Sequence, residues 1–179
     1  MLKTLRQIAS IGIVSEAPPH ADEGLRLRDG LQNQIRAVLG RALCIRHIDA
    51  GSCNGCELEI HAVNNPIYNL EGLGIRFVAS PRHADLLLVT GPVSKHMEVA
   101  LRRTYDATPD PKLVVAVGDC GCTGGIFGEN YASCGRVSNV IPTDVAIPGC
   151  PPSPTRILQG ILAAFSRSPA SLAGAGERP

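Results

Sequence analysis

Two apolar runs constrain the fold of this chain more than any other feature. "ADLLLVTG" (84–91) and "KLVVAVG" (112–118) are nearly continuous in Leu, Val and Ala. A strand with one wet face alternates apolar and polar residues, whereas a strand covered on both faces reads as an unbroken apolar run. "IRFVA" (75–79) is read the same way. "CIRHID" (44–49) and the short "TDVAI" (143–147) complete the expected strands.

Helical patterns fall between them. One is expected over 55–63, stopped by Asn64, Asn65 and Pro66, and another over 95–106. Ser153 can cap a last helix, with Pro154 at its first position and Ile157, Leu158, Ile161, Leu162 and Phe165 on its buried face. Strands alternating with helices predict a parallel α/β sheet with right-handed crossovers.

The flanks are less regular. Residues 1–20 show no clear period. From Asp22 to Leu43 the pattern is helical, with Leu31, Ile35, Val38, Leu39 and Ala42 on one stripe and Arg28, Arg36 and Arg41 largely off it. Such a basic helix either packs on its own domain or serves as an arm that docks on a partner subunit or a membrane surface. The expected organisation is an N-terminal arm over 1–43, an α/β domain over 44–166, and a small, polar, disordered tail over 167–179.

Composition narrows the function classes. A net charge of +1 argues against nucleic acid as a partner, and 3% aromatic residues leave little for base stacking. The longest apolar stretch is far short of the ~18 residues a membrane span needs. The N-terminus carries no apolar segment of signal-peptide length, so a cytoplasmic location is expected. Seven cysteines, an odd number, fit a disulfide framework poorly, and in a reducing compartment cysteine clusters point to metal or catalysis.

The cysteines fall at the ends of the expected strands. Cys53 and Cys56 follow "IRHID", Cys120 and Cys122 follow "LVVAVG", and Cys150 follows "DVAI" inside "IPGCPP". Open α/β sheets build their ligand sites beyond the C-terminal strand ends, so distant thiols can converge there. Four thiolates bind zinc or a [4Fe–4S] cluster. Structural zinc usually takes two tight pairs, and only one Cys-x-x-Cys is present. A Cys-Pro ending recurs in iron–sulfur runs, and Gly51, Gly55, Gly121 and Gly149 let backbone approach an inorganic core, so iron–sulfur is favoured. Cys120 and Cys122 compete for one place. A thioredoxin-like dithiol at "CNGC" would leave Cys120 and Cys150 unexplained. Cys44 is read as a small buried hydrophobe within a strand, and Cys134 as structural.

The motifs "CNGCE", "GDCGCTGG", "IPGCPPSP" and "SPRHADLLLVTGPV" resemble those of the small, cluster-bearing subunit of nickel–iron hydrogenases and of the 20 kDa subunit of respiratory complex I. The resemblance runs from about Cys44 to Phe165. It implies a flavodoxin-like open parallel sheet with helices on both faces. It also implies one [4Fe–4S] cluster on Cys53, Cys56, Cys120 and Cys150, with Cys122 at a variable position. Complex I members carry adjacent cysteines at the first site; the Cys-x-x-Cys spacing here is similar to complex I-like, membrane-associated hydrogenases of the formate hydrogenlyase type.

The resemblance implies electron transfer between a [NiFe] hydrogenase large subunit and a ferredoxin-like iron–sulfur subunit. The assembly would include integral membrane subunits and lie at the cytoplasmic face of the inner membrane. The alternative is a 20 kDa-type subunit of a complex I NADH:quinone oxidoreductase, its cluster reducing quinone. Glu57 would lie near the large-subunit interface, where a carboxylate can relay protons; the plainer reading is a carboxylate held at a helix's positive end. Asp85 is expected to anchor the loop before its strand, and Arg82 and His83 to be loop residues. His47 and His61 show no metal-ligand spacing.

Overall fold

The computed structural model describes residues 2–11 and 39–167, together with 30, 32, 33, 35 and 37 between them. The calls on residues 12–29 of the arm and on the tail beyond 167 lie outside the described residues. A first helix, α1, runs Leu2–Ile11, where no period had been expected. Its apolar residues Leu2, Leu5, Ile8 and Ile11 recur every third position, a spacing that drifts around a helix and so makes a weak stripe.

The strands are β1 (Leu43–Asp49), β2 (Ile75–Phe77), β3 (Leu86–Thr90), β4 (Leu113–Val117) and β5 (Val145–Ile147). The helices that follow are α2 (Gly55–Val63), α3 (Lys95–Ala107), α4 (Gly118–Thr123) and α5 (Pro154–Arg167). All strand pairs are parallel and the sheet order is β2-β1-β3-β4-β5. This is the flavodoxin-like doubly wound order.

β3 and β4 are buried at every position. Their side chains divide by alternation between two cores. Leu86, Leu88, Leu113, Val115 and Val117 pack with Ile60 and Val63 of α2 and with Ile157, Leu158, Ile161 and Phe165 of α5. Leu87, Val89, Val114 and Ala116 pack on the other face with Leu101 of α3 and with Val137, Val140 and Ile141. Helices therefore cover both faces, which is why these strands read as unbroken apolar runs. Ile35 and Leu39, from the helical residues ahead of β1, are buried in the first of these cores.

"IRFVA" differs from expectation. Only Ile75 of β2 is buried; Arg76 is exposed and Phe77 is 38% exposed. β2 is the edge strand of the sheet and pairs on one side only, so its apolar content does not reflect burial on two faces.

Register sets the functional edge. Asp49 pairs with Thr90, Thr90 with Val117, and Val117 with Ile147. Four strands thus end level, along one rim, and the chain leaves each of them on the same side of the sheet.

Candidate metal centre

The loops leaving that rim carry the cysteines. After β1, the Asp49 carboxylate accepts hydrogen bonds from the Gly51 and Ser52 amides at 2.8 and 2.7 Å, which turns the chain toward Cys53. α2 starts at Gly55 and holds Cys56 in its first turn. After β4 the Gly-rich segment forms the short helix α4, with Cys120 inside it. β5 leads directly into the loop that holds Cys150.

Close contacts lock the three loops together. Gly118 has φ +84°, and a Cβ there would lie 2.5 Å from Cys56 Sγ, so only glycine leaves room for that sulfur. A Cβ on Gly125 would likewise meet Cys120 Sγ at 2.8 Å. Asp119 and Gly149 clip the loops after β4 and β5 to each other. The Asp119 amide donates to the Gly149 carbonyl at 2.9 Å, and the Gly149 amide donates to Asp119 Oδ1 at 2.8 Å.

The four thiols act on one another electrostatically. Burial pushes the Cys56 thiol up to about 12, and the negative charges of Glu57, Cys53, Cys120 and Cys150 add to that rise in descending order. Cys120 is also raised, by burial first and then by Cys150 and Cys53. Cys53 and Cys150 are exposed, whereas Cys56 and Cys120 are half-buried. The structure therefore brings Cys53, Cys56, Cys120 and Cys150 to one place. Among the described residues, no group of three or more His, Cys, Asp or Glu is arranged to hold a metal ion. Four soft thiols surrounded by glycine backbone form a donor set suited to zinc or to an iron–sulfur group.

The other cysteines lie apart. Cys122 points toward the Ala116 carbonyl, 3.8 Å from its sulfur, and burial pushes its thiol up to about 11; no cysteine contributes to that rise. Cys134 is buried, and its thiol donates to Glu98 Oε2 at 3.3 Å. Cys44 is half-buried rather than buried, because it stands at the start of β1 beside the edge strand.

Asp85 anchors the opposite rim. Arg41 donates to both its oxygens, at 2.7 and 3.0 Å, and the Cys44 amide donates to it at 3.1 Å. Arg82 and His83 form an exposed turn just ahead of β3, at that same end and so away from the cysteines.

Glu57 is the residue whose surroundings the sequence did not disclose. It is 7% exposed, and neither carboxylate oxygen has a hydrogen-bond partner. Its nearest polar neighbour is His47 Nε2, 3.7 Å from Oε1, which is also 3.1 Å from Thr90 Oγ1. Burial is the main cause that holds the His47 pKa below its ordinary value. Alternation along β1, with Ile45 buried on the α2 side, was the available signal that His47 faces that helix. Gly118 and Asp119 were also missed as site-building residues; "GD" directly before a cysteine at a strand end was their sole trace.

A doubly wound α/β sheet with four free cysteines gathered at its C-terminal rim defines a class of domain built to hold a thiolate-bound group there. The chain belongs to the NADH ubiquinone oxidoreductase 20 Kd subunit family, whose model matches residues 53–164. It is 43% identical over 134 residues to the probable membrane-bound hydrogenase subunit mbhJ of Pyrococcus furiosus, covering 75% of this chain and 80% of that one. It is 44% identical over 148 residues to formate hydrogenlyase subunit 7 of Escherichia coli, covering 83% of this chain and 57% of the relative. Among solved structures it is similar to a chain of the membrane-bound sulfane sulfur reductase, an archaeal respiratory membrane complex. The TM-score is 0.63 at 33% identity, with 80% of this chain and 79% of that chain covered.

Proposed function

We propose that this chain is the electron-transfer subunit of a membrane-associated oxidoreductase complex and carries one [4Fe–4S] cluster on Cys53, Cys56, Cys120 and Cys150. The observation that carries the reading is the meeting of these four thiols beyond three level strand ends. Mutual repulsion among them raises Cys56 and Cys120, and a positively charged metal core would relieve it. A cube with one thiolate per iron takes wider ligand spacing than a single ion with sulfurs ~2.3 Å away, which favours cluster over zinc. Such a cluster supplies one-electron transfer when bound. The chain's own part is to fix its position and tune its potential through burial, neighbouring charge and amide hydrogen bonds.

On this reading the partners are a [NiFe] hydrogenase large subunit on one side and a ferredoxin-like iron–sulfur subunit on the other. Integral membrane subunits complete the assembly at the cytoplasmic face of the inner membrane. No described helix is long and apolar enough to cross a membrane, so the attachment is peripheral, through those partners. The two hydrogenase-named relatives support this over the quinone-reducing alternative, which draws on the family name. Cysteine pairs for nickel in the co-purifying large subunit would select the hydrogenase; their absence selects quinone or another acceptor.

Iron and acid-labile sulfide analysis, with low-temperature EPR after dithionite reduction, tests the cluster. Four irons and four sulfides are expected per chain. Cys120→Ser should abolish the EPR signal and Cys122→Ser should retain it. Zinc without sulfide overturns the reading.

A further inference from the structure

Glu57 closes the floor of a cleft of about 380 Å³ between α2 and the β1–β2 edge, walled by Arg46, His47, Ile60, His61 and Phe77 among others. Three buried polar atoms there have no partner: both Glu57 oxygens and Arg46 Nε. Buried acceptors and donors left unmatched each cost about 1–3 kcal/mol, so the cleft asks for an occupant with complementary groups.

The chemistry limits that occupant. It must donate to a carboxylate and accept from a guanidinium. A charged group would face its like charge at Glu57 or Arg46, so the fitting group is neutral. An amide offers N–H and C=O together without charge. Ile60, Phe77 and Val78 add apolar wall, which water alone leaves uncovered. The cleft is roomier than one side chain fills. Its lip is apolar and exposed, with Phe77 at 38% and Leu58, beside Glu57 on α2, at 61%. A covering protein surface would bury both, whereas a free small molecule would not.

We propose that this cleft receives the amide-bearing tip of a loop from the partner subunit seated over the cysteine rim. Its peptide or carboxamide N–H groups pair with Glu57 and its carbonyl pairs with Arg46. The inference rests on the proposed function in needing such a partner, since α2 carries both the cleft and Cys56.

The test uses the intact complex with a photoreactive phenylalanine analogue in place of Phe77 and, as a control, in place of Arg82 at the opposite rim. Illumination should cross-link position 77, and not 82, to a partner loop whose nearest residues present amides. Glu57→Gln should raise partner dissociation about tenfold, with iron and sulfide per chain unchanged. The proposal is overturned by an intact complex in which position 77 captures no partner. A lysine or arginine of the partner at the cross-link overturns it too, as does a Glu57→Gln complex as tight as the original. Absence of iron and sulfide from the unaltered complex would instead count against the cluster, leaving the cross-link to decide on the loop.

Discussion

Asp85 and Glu57 are both buried carboxylates, one at each rim of the same sheet, and they are treated in opposite ways. Asp85 is fully buried and engaged by Arg41 and by the Cys44 amide. Glu57 is nearly as buried and has no hydrogen-bond partner. Burial of a charge is tolerated when the fold supplies the partners, and Asp85 shows that this chain can supply them. An orphaned carboxylate beside Cys56 therefore marks a surface the chain leaves for something else to complete. The N-terminal rim is finished by its own residues; the C-terminal rim is not.

Removing each carboxylate separates the two cases. Asp85→Ala leaves a guanidinium and a strand-end amide without their acceptor. The isolated chain should lose about 3 kcal/mol, the low end for a broken buried pair because Arg41 is one-third exposed. Glu57→Gln removes no intramolecular hydrogen bond and should change stability by less than about 1 kcal/mol. Chemical denaturation of both variants checks this; equal losses would end the contrast between the rims.

The glycines sharpen it at the cysteine rim. Gly118→Ala places a methyl on Cys56 Sγ at positive φ, so it should cost about 2 kcal/mol and reduce iron bound per chain. Gly128→Ala, at φ +57° with open space around the added carbon, should cost about 1 kcal/mol and leave iron binding intact. Thermal melts and iron analysis on the two variants compare strain alone with strain plus collision.

Much of this was legible in the chain itself, for local physical reasons. The runs at 86–90 and 113–117 announced strands covered on both faces, and Pro154 after Ser153 announced α5. The strand-end position of each cysteine group followed from those calls. "IRFVA" misled because an edge strand can be apolar in composition and wet in position. The choice between Cys120 and Cys122 needed three dimensions. Both lie in α4, two residues apart and so on different faces, and only the packing of Gly118 and Gly125 shows which sulfur reaches the others. Glu57's lack of partners was beyond sequence altogether, since it depends on which groups of β1 and β2 approach it.

A smaller effect tests the electrostatics of the two rims through pH. Without a bound metal, Cys56 and Cys122 hold their protons to about 12 and about 11, against an ordinary value of 9.0. The folded chain then binds more protons than the unfolded chain above pH 9, so stability is fully present below that value and declines as pH rises through it. Both groups are substantially solvated, so the loss between pH 7 and 9.5 should be about 1 kcal/mol after allowance for screening. Cys122→Ala should remove part of this slope while sparing the four-thiol rim. Arg41, raised mainly by its hydrogen bond to Asp85, stays charged throughout, and Asp85→Ala should leave the alkaline slope as it is. Denaturant midpoints of the metal-free chain across that range, for the parent and the two variants, measure each part; a slope that follows Asp85 instead of Cys122 would place the pH sensitivity at the wrong rim.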